Sequence, residues 1–444
     1  MRVIIIGGIA AGMSAAAKLR RADKEAEIIV FEKKDYISFG ACGLPYFVGN
    51  YFEEKERMLV RTKEQMESLG IKVNLEHEVI AVDADNHMVK VKNLSDDSVK
   101  EEHYDKLLIA TGARAILPSM ENSDLANIHV LRSLEDGVQV KELFMSKEVK
   151  SVGIIGAGFI GLEVVEAAKK LGKEVHVFQL SDRILREVFD QEVTELLEEE
   201  LRSEGVHLHL NTQVLGFEGD DKVKRIVTKD EVIETDVVII ATGVRPNTEF
   251  LDSTSIKKLG NGAIIIDQEG KTSLEDIYAA GDCATVPHLL KEEPAYLPLA
   301  TTANKLGRIV GTNLAGGHEV FEGTLGSSCL KVLGLEAGRT GLSEEEAKRQ
   351  GYKVKASFIT DKNHTDYYPG QEKVSVKLIY EADTLRLLGG QVVGKCDAVQ
   401  RCNVLAACIY AKMTTKQLGM LDLCYAPPFS RTWDVLNVSG NASK

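Results

Sequence analysis

Val152-Gly153-Ile154-Ile155-Gly156-Ala157-Gly158-Phe159-Ile160-Gly161-Leu162-Glu163 joins a short apolar run to a full Gly-x-Gly-x-x-Gly and then to a helical pattern. Strand, glycine turn and helix start in that order form a cradle for a pyrophosphate. The glycines allow the tight turn and the close approach of backbone, and the first amides of the helix face the anion. The next apolar strand, Val175-His176-Val177-Phe178, ends at Gln179, where such a unit usually carries an acidic residue. A carboxylate there would repel a 2'-phosphate; Gln179 does not, and Arg183 and Arg186 lie just beyond it. NADPH is therefore expected to be accepted as well as NADH, with Gly156, Gly158, Ile160, Gly161 and Gln179 as contacts.

A second such unit lies upstream. Val3-Ile4-Ile5-Ile6 reads as a buried parallel strand, followed by Gly7-Gly8-Ile9-Ala10-Ala11-Gly12 and an Ala-rich helical pattern from Met13 to Arg21. Ile9 takes the place of the middle glycine. The strand Ile28-Ile29-Val30-Phe31 ends at Glu32, 20 residues beyond Gly12, where a carboxylate accepts bonds from ribose hydroxyls. Gly7, Gly8, Ala10, Ala11, Gly12, Glu32 and Lys33 are the candidate contacts. Two further apolar strands end alike, in Ala110-Thr111-Gly112 and Ala241-Thr242-Gly243, and suggest an internal repeat of about 130 residues.

Composition limits the alternatives. The chain has 444 residues, enough for two or three domains, and a formal charge of -13 that disfavours nucleic acid and anionic membranes as partners. No apolar run approaches the roughly 18 residues of a membrane span. Met1-Arg2 leads straight into the first strand, so no export signal is expected and the reading is cytoplasmic. Seven cysteines, an odd number, argue against a disulfide framework, and no Cys-x-x-Cys or zinc spacing supports a metal.

One cysteine stands apart. Ser38-Phe39-Gly40-Ala41-Cys42-Gly43-Leu44-Pro45-Tyr46 places Cys42 among small residues, before an X-Pro break, ten positions after Glu32. A thiol held beside a nucleotide site suggests redox chemistry.

Both glycine turns, Glu32, both Ala-Thr-Gly strands and Ile277-Tyr278-Ala279-Ala280-Gly281-Asp282 together resemble the pyridine nucleotide-disulfide oxidoreductases, flavoproteins with two dinucleotide sites. The resemblance implies an α/β fold with two Rossmann-like dinucleotide-binding domains and a C-terminal α+β dimerisation domain. The expected division is 1–115 with 245–321 for FAD, 116–244 for NAD(P), and 322–444 for a dimer unit. Strand patterns at Lys373–Tyr380 and Leu385–Gly394 and helical patterns near Glu344–Gln350 and Ala398–Lys412 fill that last unit. By the same resemblance Asp282 bonds the ribityl chain, Pro298-Leu299-Ala300 lead a helix toward the isoalloxazine, Gly243 borders the second site, and Glu163 lies near the nicotinamide.

The thiol chemistry follows from what is missing. Members with a dithiol carry two nearby cysteines and a C-terminal His; here Cys42 is alone after Glu32 and no His follows His364. NADH oxidases and peroxidases of the family have a histidine in the first glycine turn, where this chain has Ala10. Ser38-Phe39 followed by Cys42 and Leu44-Pro45 instead resembles the coenzyme A-disulfide reductase subgroup. That implies a Cys42-S-S-CoA mixed disulfide, coenzyme A disulfide as substrate, and a homodimer in which Tyr367 and Tyr425 reach the partner's site. Arg21, Ser38, Phe39 and Asn304, with Arg308 one turn on, are candidate substrate contacts. Coenzyme A persulfide or polysulfide reduction uses the same parts and is the nearest rival, for which an added rhodanese-type domain would speak. Oxygen or peroxide reduction is the second.

Overall fold

The apolar runs become the centres of two parallel sheets in the computed structural model, which describes residues 1–443. Contacts divide the chain into two units. One comprises Met1–Leu44, Glu53–Ile116 and Val244–Thr324; the other comprises Pro45–Phe52, Leu117–Gly243 and everything from Leu325 onward.

In the first unit five strands run parallel in the order Ile277–Ala279, Lys106–Ile109, Arg2–Ile6, Glu27–Phe31, Ile71–Asn74. Val3, Ile4 and Ile5 are wholly buried, as a strand covered on both faces requires, which is why the sequence shows an unbroken apolar run there. An antiparallel ribbon of His77–Asp83, Met88–Asn93 and Val99–His103 adjoins it. The helices Ala10–Ala22 and Ala300–Leu314 cross at backbone distance. A Cβ on Gly307 would stand 2.5 Å from the Ala11 carbonyl oxygen, and one on Gly311 would stand 2.6 Å from that of Ala15. Only glycine permits that approach.

The second unit repeats the plan. Val206–His209, Glu174–Phe178, Ser151–Ile155, Val237–Ile240 and Ile128–His129 form its parallel sheet, beside an antiparallel ribbon Val214–Gly219, Val223–Thr228, Val232–Glu234. A five-stranded antiparallel sheet follows in the order Ser328–Val332, Leu335–Gly341, Leu387–Gly394, Lys373–Glu381, Val354–Lys362, with the helix Ala398–Tyr410 packed on it. The strands Lys373–Glu381 and Leu387–Gly394 and the helices Glu344–Arg349 and Ala398–Tyr410 fall where the periodicity placed them, whereas the strands Ser328–Val332, Leu335–Gly341 and Val354–Lys362 carry no pattern that the sequence reading singled out. Among the described residues no helix is long and apolar enough to cross a membrane.

Candidate functional site

The two glycine turns are the same object built twice. Gly7 and Gly156 both sit at φ +105°, and a Cβ on either would collide with a carbonyl oxygen, that of Ala110 at 2.2 Å or of Ala241 at 2.4 Å. Gly12 and Gly161 close each turn, with room for no side chain: a Cβ would lie 1.9 Å from the Gly7 oxygen and 2.0 Å from the Gly156 oxygen. Gly7 N–H donates to Phe31 O and Gly156 N–H to Phe178 O, each at 2.8 Å. Gly158 faces open space and caps the helix Phe159–Lys170 without a side-chain bond, so that helix's first amides remain available. Ile9 holds the matching place at the start of Ala10–Ala22.

The residues at the ends of the second strands complete the match. Gly8 N–H donates to Glu32 Oε2 at 2.7 Å, and Ala157 N–H donates to Gln179 Oε1 at 2.8 Å. Glu32 also accepts from Lys34 N–H at 2.9 Å through its other oxygen. Burial pushes its carboxyl above the usual range, and the Gly8 and Lys34 amides pull against that. Gln179 passes its amide hydrogens to Ser181 Oγ at 2.6 Å, which fixes which end of the amide faces Ala157. Beyond it, Arg186 pairs with Asp182, and Arg183 reaches the Arg186 carbonyl at 3.3 Å.

Around the first turn, Asn247 locks the Ala-Thr-Gly loop. Its amide donates to Thr111 O at 3.0 Å, Thr111 Oγ1 donates back to Asn247 O at 2.7 Å, and a Cβ on Gly112 would meet nothing. Gly281, at φ +85°, lies against Ala11, which sets the Asp282 backbone beside the start of the first helix; the Tyr296 hydroxyl holds Asp282 O at 3.0 Å. Pro298 and Leu299 are partly exposed, and Ala300–Leu314 begins with no side-chain cap. Asn304 is exposed, taking a bond from Ser14 Oγ at 2.8 Å and giving one to Ala300 O at 2.9 Å. Arg21 is exposed in the last turn of the first helix, nine residues past Gly12 and hence about 13 Å along the axis from the glycine turn. Asn247 and Ser14 carry no sequence motif; the pairing of distant Asn and Ser side chains appears only in three dimensions.

Cys42 is exposed, in a single 3₁₀ turn Ala41–Gly43. Ser38 N–H donates to Gly8 O at 2.8 Å, and Val60 N–H donates to Ser38 O at 3.0 Å, so the segment before the cysteine is stitched to the first nucleotide turn. Ser38 adopts φ +52°, a strained region for a non-glycine residue, and Phe39 is buried with its ring 5.2 Å from Tyr36. Pro45 does not break the chain as the sequence suggested. It enters the short helix Leu44–Val48 in its first turn, where proline's missing N–H costs nothing. Cys283, Cys402 and Cys408 are buried, and burial pushes their thiols up, Cys402 to about 12.

In the second unit Glu163 is pushed up to about 7 by burial, with Glu166 adding to the effect. Glu166 accepts from the Tyr51 hydroxyl at 2.9 Å and from Lys331 at 3.0 Å. Ile160 is partly exposed in the first turn of its helix, and Gly243 sits at φ +112°. Tyr367 and Tyr425, 58 residues apart, bring their hydroxyls to 3.1 Å, and both are exposed. Arg401 holds the two loops that carry them: its guanidinium donates to Asn363 O at 2.9 Å, Phe429 O at 3.4 Å and Asp434 Oδ2 at 2.8 Å.

Two family models match the chain, one described as pyridine nucleotide-disulphide oxidoreductase over residues 1–307 and the other as the dimerisation domain of that family over residues 328–435. The chain is 38% identical over 442 residues to a CoA-dependent NAD(P)H sulfur oxidoreductase of Pyrococcus abyssi, covering 100% of this chain and 98% of that one. It is 31% identical to a coenzyme A disulfide reductase of Staphylococcus aureus, with both chains covered at 100%. A water-forming NADH oxidase of Lactobacillus brevis, solved with NADH bound, superposes with a TM-score of 0.95 at 32% identity, covering 100% of this chain and 98% of the other.

Proposed function

The chain belongs to the pyridine nucleotide-disulphide oxidoreductase family, and on that premise we propose that it is an FAD-dependent NAD(P)H:coenzyme A-disulfide reductase. The observation that carries the substrate reading is the only cysteine before Cys283, exposed Cys42, stitched through Ser38 to the Gly8 carbonyl of the first nucleotide turn.

Both turns fit a dinucleotide: the glycines whose Cβ atoms would strike backbone leave the carbonyl and amide edges clear, and Glu32 and Gln179 stand at the ribose positions. Gly7, Gly8, Ala10, Ala11, Gly12, Glu32, Lys33, Thr111, Gly112, Asp282 and Pro298 to Ala300 would hold FAD. Gly156, Gly158, Ile160, Gly161, Glu163, Gln179 and Gly243 would hold NAD(P)H. When bound, the two groups supply an electron pair from NAD(P)H by way of the flavin.

The protein's own part is thiol exchange. Cys42 as thiolate attacks one sulfur of coenzyme A disulfide, forming Cys42-S-S-CoA and releasing one coenzyme A thiolate. Delivery of the electron pair then breaks that bond and returns the Cys42 thiolate and the second coenzyme A. The Tyr367–Tyr425 hydroxyl pair, contributed by the other subunit of a homodimer, donates a hydrogen bond to the departing thiolate, a task that needs no histidine. Arg21, Ser38 and Asn304 would meet the coenzyme A, while Phe39, buried with its ring near Tyr36, would anchor the segment rather than touch the substrate.

Persulfide or polysulfide reduction is the second reading, favoured by a 37% identical NAD(P)H coenzyme A polysulfide/persulfide reductase of Pyrococcus horikoshii. That relative is matched over 98% of its own length, so an added rhodanese-type domain does not discriminate between the two. Steady-state assays with coenzyme A disulfide, coenzyme A persulfide and oxygen as separate acceptors decide among them. Turnover of coenzyme A disulfide that survives Cys42→Ser, or oxygen outrunning both sulfur acceptors, would sink the proposal.

A further inference from the structure

A cluster of imidazoles and carboxylates lies on the edge of the second parallel sheet, outside the site just described. Glu174 and His176 belong to the strand Glu174–Phe178, and His207 and His209 to the edge strand Val206–His209, with His176 and His207 paired in register. The ligating atoms of Glu174, His176 and His207 all lie within 4.8 Å of one another. His176 Nε2 and His207 Nε2 each stand 3.5 Å from the same oxygen, Glu174 Oε1.

The protons can be followed inward from the other side. Glu231 Oε1 lies 2.8 Å from His209 Nδ1, so that nitrogen carries a hydrogen and donates it to the carboxylate. In its neutral form His209 then has a bare Nε2, which sits 3.2 Å from His176 Nδ1 and accepts from it. His176 is left with a lone pair on Nε2, aimed at a carboxylate oxygen. Lone pair and anion repel unless a cation stands between them.

We propose that Glu174, His176 and His207 form a site for a divalent transition-metal ion of the zinc class, with His209 and Glu231 orienting His176 from behind. Zn–N and Zn–O bonds of about 2.0–2.1 Å at a tetrahedral angle put neighbouring ligands roughly 3.3 Å apart, close to the two 3.5 Å separations. Two imidazoles and one carboxylate suit zinc and its neighbours rather than calcium or magnesium, and water takes the fourth position. The chain Glu231–His209–His176 is the outer hydrogen-bonding shell that fixes the tautomer of a metal-binding histidine. Glu174 and His207 are exposed, which gives the ion its entry path and lets the His207 ring turn to aim Nε2 at the shared point. The rings of His176 and His207 stack at 4.5 Å, so it is that turn of His207 which brings the two Nε2 lone pairs to one point.

The test is calorimetric titration of the FAD-loaded enzyme with zinc chloride after alkylation of its accessible thiols, which removes Cys42 as a competing ligand. One saturable equivalent per chain is expected, weakened at least about tenfold by His207→Ala and by Glu174→Gln. Zinc K-edge absorption should then show only nitrogen and oxygen neighbours. Absence of saturable binding in the wild type, or binding that both variants leave unchanged, overturns the site. Equal FAD content and circular dichroism in the variants exclude a folding defect, and neither side chain has a part in the thiol chemistry.

Discussion

Gln179 and Glu32 answer the same geometric demand with different charge. Each accepts one amide hydrogen from its glycine turn, at 2.8 and 2.7 Å, so a glutamate at 179 keeps that bond, and the Ser181 hydroxyl, which now donates to Arg183 O, turns to donate to its second oxygen. Gln179→Glu should therefore keep NADH and lose NADPH, with kcat/KM for NADPH falling at least about tenfold as carboxylate meets 2'-phosphate. An equal loss for both nucleotides would show that position 179 does not face the 2' substituent. Glu163 makes a pH prediction. Its carboxyl is pushed from 4.5 to about 7 by burial first and Glu166 second. Between those values the folded state keeps a proton that the unfolded state has shed, so stability falls as pH rises through the window, and the full penalty is present above about pH 7. The whole shift would be worth roughly 3 kcal/mol, and partial exposure reduces it to about 2. Glu163→Gln removes the penalty: its melting temperature should match the wild type near pH 4.5 and exceed it at pH 8. A difference independent of pH would contradict the assignment.

At the scale of elements, the loops bearing Tyr367 and Tyr425 are held by a buried ion pair between Arg401 of the helix Ala398–Tyr410 and Asp434, which caps the helix Val435–Ala442. Arg401 and Asp434 are both buried, and Arg401 also ties down carbonyls at 363 and 429. Arg401→Leu strands the Asp434 charge and should cost about 3–5 kcal/mol, while the double variant with Asp434→Leu regains much of it. In both, coenzyme A-disulfide turnover should fall further than NADPH-driven dye reduction, which needs the nucleotide sites alone; parallel loss would remove Arg401 from any role in placing the tyrosines. Neither this clamp nor the strained Ser38 was legible in the sequence. The buried strands were, because a two-sided parallel strand writes itself as an unbroken apolar run, and the glycine turns were, because steric exclusion leaves only one residue type. Arg401 reads as one more cation on an amphipathic helix, since its partners lie 33 and 38 residues away. Gly307 and Gly311 read as weak helix formers until Ala11 and Ala15 are seen against them. Contacts of that kind are set by how elements meet, which local pattern does not encode.

For the whole molecule, the consequence concerns which chain supplies which part. The family's dimerisation domain spans residues 328–435 and contains Tyr367, Tyr425 and Arg401, whereas Cys42 lies in the other matched region. In the proposed homodimer a two-fold axis gives two equivalent sites, each drawing its cysteine from one subunit and its tyrosine pair from the other. Subunit mixing separates that arrangement from one in which a single chain supplies both. A Cys42→Ser chain and a Tyr367→Phe/Tyr425→Phe chain are each expected to form poorly active homodimers. Paired in one heterodimer, the intact cysteine of one meets the intact tyrosines of the other, while the opposite site collects both lesions. A heterodimer purified through two different affinity tags should therefore recover about half of the wild-type coenzyme A-disulfide turnover, one site out of two. If cysteine and tyrosines came from the same chain, every site in that heterodimer would carry one lesion, and turnover would stay at the mean of the two parent variants. Both tyrosine hydroxyls are exposed in the single chain and bonded to each other at 3.1 Å. That is the state in which a pair waiting for a partner's thiol would stand.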